Sequence, residues 1–222
     1  MNDYSALQTR IGGSARSKRM GTAFLNGFGL SIGLIMAIGA QNAHVLRQGL
    51  RGEHVLLTVA ISSLCDISLI LLGMAGLGQL FSANPDWTEI ARYCGAAFLG
   101  WYGLRALRSA IAGGSMQVDR NERSRLSRRQ ALLAAAGFSL LNPHAYLDTV
   151  VLLGSIGSQQ ASEARPVFTA GAIAGSVSWF LLLGYGARLL VPLFARPRAR
   201  QVLDAAVALM LWGIAASLIL SA

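Results

Sequence analysis

Asn142, His144 and Asp148 stand in the run Leu-Asn-Pro-His-Ala-Tyr-Leu-Asp at 141–148, inside an otherwise apolar segment, 130–157. Pro143 has no backbone N–H to donate, and its ring clashes with the preceding turn, so a helix entering this run breaks there. Asn followed by Pro is also a favourable helix start, with Asn142 as N-cap and Pro143 at the first helical position. His144 and Asp148 follow four residues apart, on one face of the helix so started. A related run, Gln41-Asn42-Ala43-His44, closes the apolar stretch 24–40, and Asn42 and His44 align with Asn142 and His144. Asp66 lies near the middle of another apolar run, flanked by Ser62, Ser63 and Ser68. A charge at the centre of a membrane span costs ~2.5–3.5 kcal/mol on insertion scales, so Asp66 needs a partner, a cavity or a proton. Broken helices at membrane depth leave free N–H and C=O groups facing a cavity, which suits ions and zwitterions. A solute carboxylate fits the half-helix start near Asn142, and a solute cation fits Asp66 or Asp148. The same residues also have plain uses. Asn142-Pro143 can be a kink, Asp148 can serve its own helix dipole, and helix-end histidines such as His44 and His144 are more often structural than titrating.

Such groups need long apolar elements to hold them. Of 222 residues, 54% are hydrophobic and 13% charged, with a mean hydropathy of +0.50. This excludes disorder and argues against an ordinary soluble domain. Several runs reach the ~18–25 residues that cross a bilayer. Six spans are expected: Thr22 to Gln41, His54 to Leu80, Trp87 to Ile111, Gln130 to Gly157, Pro166 to Leu190, and Val202 to the end. Asn42–Glu53 reads as a connector. The fourth run would be ~42 Å long as one helix against a ~30 Å core, so it must break or tilt. Gly29 with Gly33, and Gly171 with Gly175, form small-residue patches that permit close helix approach. The basic head of the chain precedes an apolar run ending Ala37-Ile-Gly-Ala40, but the polar motif lies just past it and further spans follow, so no cleaved leader is expected.

The net charge is +9. Basic residues lie mainly between apolar runs, as the positive-inside rule describes. The linker 113–129 holds Arg120, Arg123, Arg125, Arg128 and Arg129. No aromatic residue is interleaved, so it reads as a cytoplasmic loop and not as a nucleic-acid site. Cys65 and Cys94 have no Cys-x-x-Cys or metal-ligand spacing. No metal or cofactor is expected.

The halves repeat. Ala96-Ala97 with Tyr102-Gly103 echoes Ala205-Ala206 with Trp212-Gly213, and Leu71-Leu72-Gly73 echoes Leu182-Leu183-Gly184. The expectation is an all-α integral membrane protein of one domain, 1–222. It has a polar tail, 1–21, a first repeat, 22–112, the linker and a second repeat, 130–222. Three spans per half is an odd number, so the repeats are inverted, with broken helices near Asn42 and Asn142. Charge counting puts the linker in the cytoplasm and both termini outside. The basic tail pulls the other way and, kept inside, leaves five crossings. On a helical hairpin of the second and third spans, Asp66 comes level with Gly100–Trp101 and closer to Arg105 than to Arg92.

The runs Gly-Ala-Gln-Asn-Ala (39–43), Val-Leu-Arg-Gln-Gly-Leu-Arg (45–51), Cys-Asp-Ile-Ser-Leu-Ile-Leu (65–71), Phe-Leu-Gly-Trp-Tyr-Gly (98–103) and Leu-Asn-Pro-His-Ala-Tyr-Leu-Asp-Thr (141–149) resemble the LysE/ArgO family of basic amino-acid exporters. The likeness runs from about Phe24 to the C-terminus. The family's usual first motif has Pro where Ala40 stands here. The resemblance implies a multi-pass protein of the cell inner membrane that exports L-arginine or L-lysine by a secondary gradient, with no enzymatic activity. Gln41, Asn42, Asp66, Asn142, Pro143, His144 and Asp148 are the candidate substrate or coupling residues. The family's intramembrane Asp matches Asp66, and the Arg paired with it matches Arg92. Expected partners are a basic amino acid, the lipid bilayer, a coupling proton or ion and further copies of the chain, with no nucleic acid. The wider superfamily also exports neutral amino acids and other small solutes. A channel and a thiol carrier are the remaining readings, and neither has a motif in the chain.

Overall fold

The computed structural model describes residues 3–36, 39–76, 85–111, 127–142, 145–192 and 197–220; side chains at 3–15, 85–88, 91, 92, 197, 199 and 200 are not among those described. All elements in these residues are helical. They are α1 (Asp3–Ile35), α2 (Ala40–Arg51), α3 (Val55–Met74), α4 (Pro85–Ile111), α5 (Arg128–Leu140), the π-helical α6 (Tyr146–Leu153), α7 (Gly154–Ser158), α8 (Arg165–Gly186), and α9 (Pro197–Leu220). A 3-10 turn, Ala187–Leu190, extends α8.

Local chemistry sets several of these ends. α5 begins at a capping box in which Gln130 N donates to Ser127 Oγ at 3.2 Å and Ser127 N donates to Gln130 Oε1 at 3.0 Å. α2 ends at Gly52, whose φ of 68° is a left-handed turn that favours glycine. α8 starts with Pro166 in its first turn, where a missing N–H costs nothing.

The stretch Asn42–Glu53, expected as a connector, is mostly helix. The break comes earlier, after Ile35, and Gly39 enters α2 in an extended conformation. α1 and α2 meet at 84°. Among the described residues, α3, α8 with its extension and most of α9 are long and apolar enough to cross a membrane, and the bent pair α1–α2 makes a fourth if it is one span. Against six expected crossings, α4 has the length but carries Glu89, Arg92, Arg105 and Arg108. The fourth expected run holds α5, which ends at Leu140, and the contiguous α6 and α7, which begin at Tyr146.

Packing differs from a simple hairpin order. α1 lies against α8, and α4 lies against α9. α3 sits centrally, against α5, α6 and α8. The expected hairpin of α3 with α4 is therefore not the main contact of either helix. At the α1–α8 crossing the backbones nearly touch. A Cβ on Gly27 would fall 2.1 Å from the Phe168 carbonyl oxygen, and one on Gly171 would fall 2.1 Å from that of Phe24. Gly29 and Gly33, expected at a close crossing, have open space where a Cβ would be. The close-approach glycine of α1 is Gly27, in partnership with Gly171 and Gly175.

Gly171→Ala forces apart two backbones that cannot yield locally. Overpacking of this kind costs about 1–3 kcal/mol, so the variant melts at lower temperature in detergent, whereas Gly29→Ala leaves Tm within error. Equal Tm for both variants contradicts this account of the crossing.

Candidate functional site

The two breaks face each other across a cavity of about 240 Å³. Gly39 to Asn42 enter it from the start of α2, and Asn142, Asp148 and Thr149 enter it from the second break and α6. Asp66 enters from α3, and Leu34, Ile35 and Ile214 give apolar walls. So Gln41, Asn42, Asp66, Asn142 and Asp148 come together from distant parts of the chain. Pro143 and His144 lie outside the described residues.

Each break is bridged by a side chain that reaches back to the helix before it. Asn42 Nδ2 donates to the carbonyl oxygen of Ile35, the last residue of α1. Tyr146 Oη donates to the carbonyl oxygen of Leu140, the last residue of α5, at 2.8 Å. Both carbonyls are among those that a helix end leaves without an internal partner. Asn42 is held in turn, because Trp179 Nε1 donates to its Oδ1 at 3.3 Å. Asn142 contributes backbone to its break, its carbonyl accepting from Ala145 N at 3.0 Å.

Gln41 is buried, and its Nε2 donates to Ser139 Oγ at 2.9 Å. Ser139 Oγ in turn donates to the Ala135 carbonyl at 2.8 Å. Asp66 is only 3% exposed, and Ser176 Oγ of α8 donates to its Oδ2. No described Lys, Arg or His side chain is within ion-pair distance of Asp66. The expected pair with Arg92 falls on a side chain outside those described. Arg105, the alternative, lies 5.8 Å over the Tyr102 ring, on a helix whose main partner is α9. His44 is buried away from the cavity wall, stacked on Phe138 with ring centroids 4.6 Å apart. No group of three His, Cys, Asp or Glu among the described residues could hold a metal ion. Cys65 and Cys94 are free thiols on different helices.

A larger hollow of about 410 Å³ lies at the start of α3, among His54, Arg128, Tyr185 and Arg188. Among the described residues no carboxylate lines it, and it shares no lining residue with the site described above.

A charge pair not foreseen from sequence lies beyond α2's cavity end. Arg47 Nη2 sits 3.0 Å from Asp204 Oδ1, with side chains 17% and 12% exposed. Ser109 Oγ donates to Asp204 Oδ2 at 2.6 Å. This ties α2 to the α4–α9 pair. A lone Asp opening an apolar run was the available signal, but nothing near it in sequence points to Arg47. Ser139, Ser176 and Trp179 gave no signal at all, being common residues in apolar helices.

Residues 32–222 match the family model described as LysE type translocator. A protein of Aeromonas salmonicida, named as a proposed amino-acid transporter, YggA, is 42% identical over 87% of this chain and 94% of its own. The arginine exporter protein ArgO of Yersinia enterocolitica is 38% identical over 86% of this chain and 93% of its own, and that of Serratia proteamaculans 36% identical over 88% and 95%. No solved structure matches the chain.

Two outcomes are expected from the side chains that hold α2. Asn42→Ala strips both the Ile35 carbonyl and the Trp179 indole of a partner. An unsatisfied buried group costs about 1–3 kcal/mol, so Tm falls and Trp179 fluorescence shifts; an unchanged spectrum removes the Trp179 contact from the account. Arg47→Ala leaves Asp204 uncompensated, at a cost of about 3–5 kcal/mol. The double variant Arg47→Ala/Asp204→Ala should be more stable than Arg47→Ala alone, and a double-mutant cycle in thermal melts with no coupling would dismiss the pair.

Proposed function

Because the chain belongs to the LysE type translocator family, we propose that it exports basic amino acids, L-arginine and also L-lysine, across the inner membrane by alternating access. The observation that carries this is the single cavity on which two carboxylates, Asp66 and Asp148, meet the start of α2 and the second break. The relatives named as arginine exporters support the substrate class.

The chemistry divides by charge. The first turn of α2 has N–H groups without intrahelical partners, and Gly39 places no side-chain cap over them. That end of the helix carries partial positive charge and receives the α-carboxylate of the substrate. Asp66 and Asp148 receive the cationic groups. Leu34, Ile35 and Ile214 cover the aliphatic stem. A guanidinium can meet a carboxylate with two hydrogen bonds where an ammonium meets it as a point charge, which favours arginine over lysine at a fixed carboxylate.

Inverted repeats follow from the same reading. The contacts of α1 with α8 and of α3 with α5 and α6 exchange with each other when the halves are exchanged. The contacts of α3 with α8 and of α4 with α9 map onto themselves. This pattern supports two related halves that rock about the cavity.

Counterflow in proteoliposomes tests the proposal. Vesicles preloaded with unlabelled arginine or lysine should accumulate labelled arginine, and vesicles preloaded with leucine or threonine should not. Asp66→Asn and Asp148→Asn should each lower the initial rate at least tenfold with insertion intact. Normal flux in both variants removes the carboxylates from the mechanism. Counterflow driven equally by leucine moves the substrate class to neutral amino acids.

A further inference from the structure

The hollow of about 410 Å³ at the start of α3 has no part in the proposed transport. Its depth follows from the helices that form it. Val55 opens α3 and Leu190 closes the extension of α8, and both elements are long and apolar enough to cross a bilayer. His54, Leu56 and Leu57 stand on the wall at the start of one span, and Tyr185 and Arg188 at the end of the other. The hollow therefore lies where two spans leave the hydrocarbon, at the depth of lipid headgroups. Arg128 reaches the same wall from the first residue of α5. Two basic stretches far apart in sequence thus converge, the linker that leads into α5 and the extension that follows α8.

The polar part of the wall is an anion site. Arg128 and Arg188 are exposed, and neither forms an ion pair among the described residues. No described carboxylate lines the hollow to compensate them. The guanidinium of Arg188 is held 5.1 Å over the Tyr185 ring. The first turn of α3 has no acidic residue and no side-chain cap from His54, so the partial positive charge of a helix start borders the same space. Guanidinium groups so placed meet a phosphate with paired hydrogen bonds.

The apolar part of the wall narrows the ligand class. Val55, Leu56 and Leu57 line the hollow together with the arginines. Leu56 is 66% exposed, and Leu189, beside Arg188, is 84% exposed. Bare aliphatic surface around a basic pocket at the end of a span matches hydrocarbon tails under an anionic head. A free phosphate would satisfy only half of this wall.

We propose that the hollow binds an anionic phospholipid, with its phosphodiester on Arg128 and Arg188 and its acyl chains along Leu56 and Leu189. The site is independent of what the cavity at Asp66 carries. α3 packs against both α5 and α8, so a lipid held by residues of all three braces the helix on which Asp66 stands.

Native mass spectrometry of the full chain in neutral detergent, given equimolar phosphatidylglycerol and phosphatidylcholine, tests the site. Phosphatidylglycerol should be retained under activation that strips phosphatidylcholine, and its addition should raise Tm. Arg128→Gln/Arg188→Gln should lower its occupancy at least tenfold and abolish the rise in Tm. Arg129→Gln/Arg198→Gln removes the same charge from two exposed arginines off the wall and should keep the lipid. If the first double variant does not fold, Arg188→Gln alone is read in the same way. Equal loss in both double variants, or equal retention of the two lipids, overturns the site. Inorganic phosphate at matched ionic strength should leave Tm unchanged. A rise in Tm with phosphate that needs Arg128 and Arg188 makes a soluble anion the ligand and overturns the lipid.

Discussion

Backbone that leaves a helix inside a membrane cannot turn to water, so its polar groups must be met by the protein itself. The arrangement of this chain follows from meeting that requirement twice. Asn42 closes the end of α1 through the Ile35 carbonyl, and Tyr146 closes the end of α5 through the Leu140 carbonyl. Both breaks turn inward and share one cavity. The helices around it pack closely, and α1 crosses α8 at a distance only glycine allows.

The buried carboxylate follows the same logic at higher stakes. A charge near the middle of a span is tolerated where it borders a cavity or is hydrogen-bonded. Asp66 has both, with the cavity on one side and Ser176 on the other. The partner that the structure shows for it is a hydroxyl, and that bears on what the residue can do. An ion pair would neutralise the charge within the fold, whereas a hydroxyl leaves it able to take a cation from outside.

α2 links the two kinds of polar group. Its first turn lines the cavity through Gln41 and Asn42. Farther along, Arg47 reaches Asp204, and Asp204 also holds Ser109 of α4. Because α4 and α9 pack chiefly on each other, this ion pair is a polar tie between that pair and the helix that forms part of the site. One helix, α2, thus carries both the cavity residues Gln41 and Asn42 and the link to α9.

The sequence by itself determined the membrane character, the all-helical class, the interruption near Asn142 and the polar residues set in apolar runs. Each of these rests on a local property: run length, the missing N–H of proline, a polar group isolated in apolar neighbours. Locality also explains the misplaced details. Gly29 and Gly33 have the spacing of a close crossing but face open space, and Asn42–Glu53 reads as a connector because its mean hydropathy is low while its helical periodicity is short. Only the tertiary structure decided which groups meet. Gln41 finds Ser139 98 residues away, Asp66 finds Ser176 110 residues away, and Arg47 finds Asp204 157 residues away. A helix records in its own residues which face is polar. The identity of the helix that covers that face depends on how all of them pack, and α4 took α9 where a local hairpin with α3 was the nearer choice.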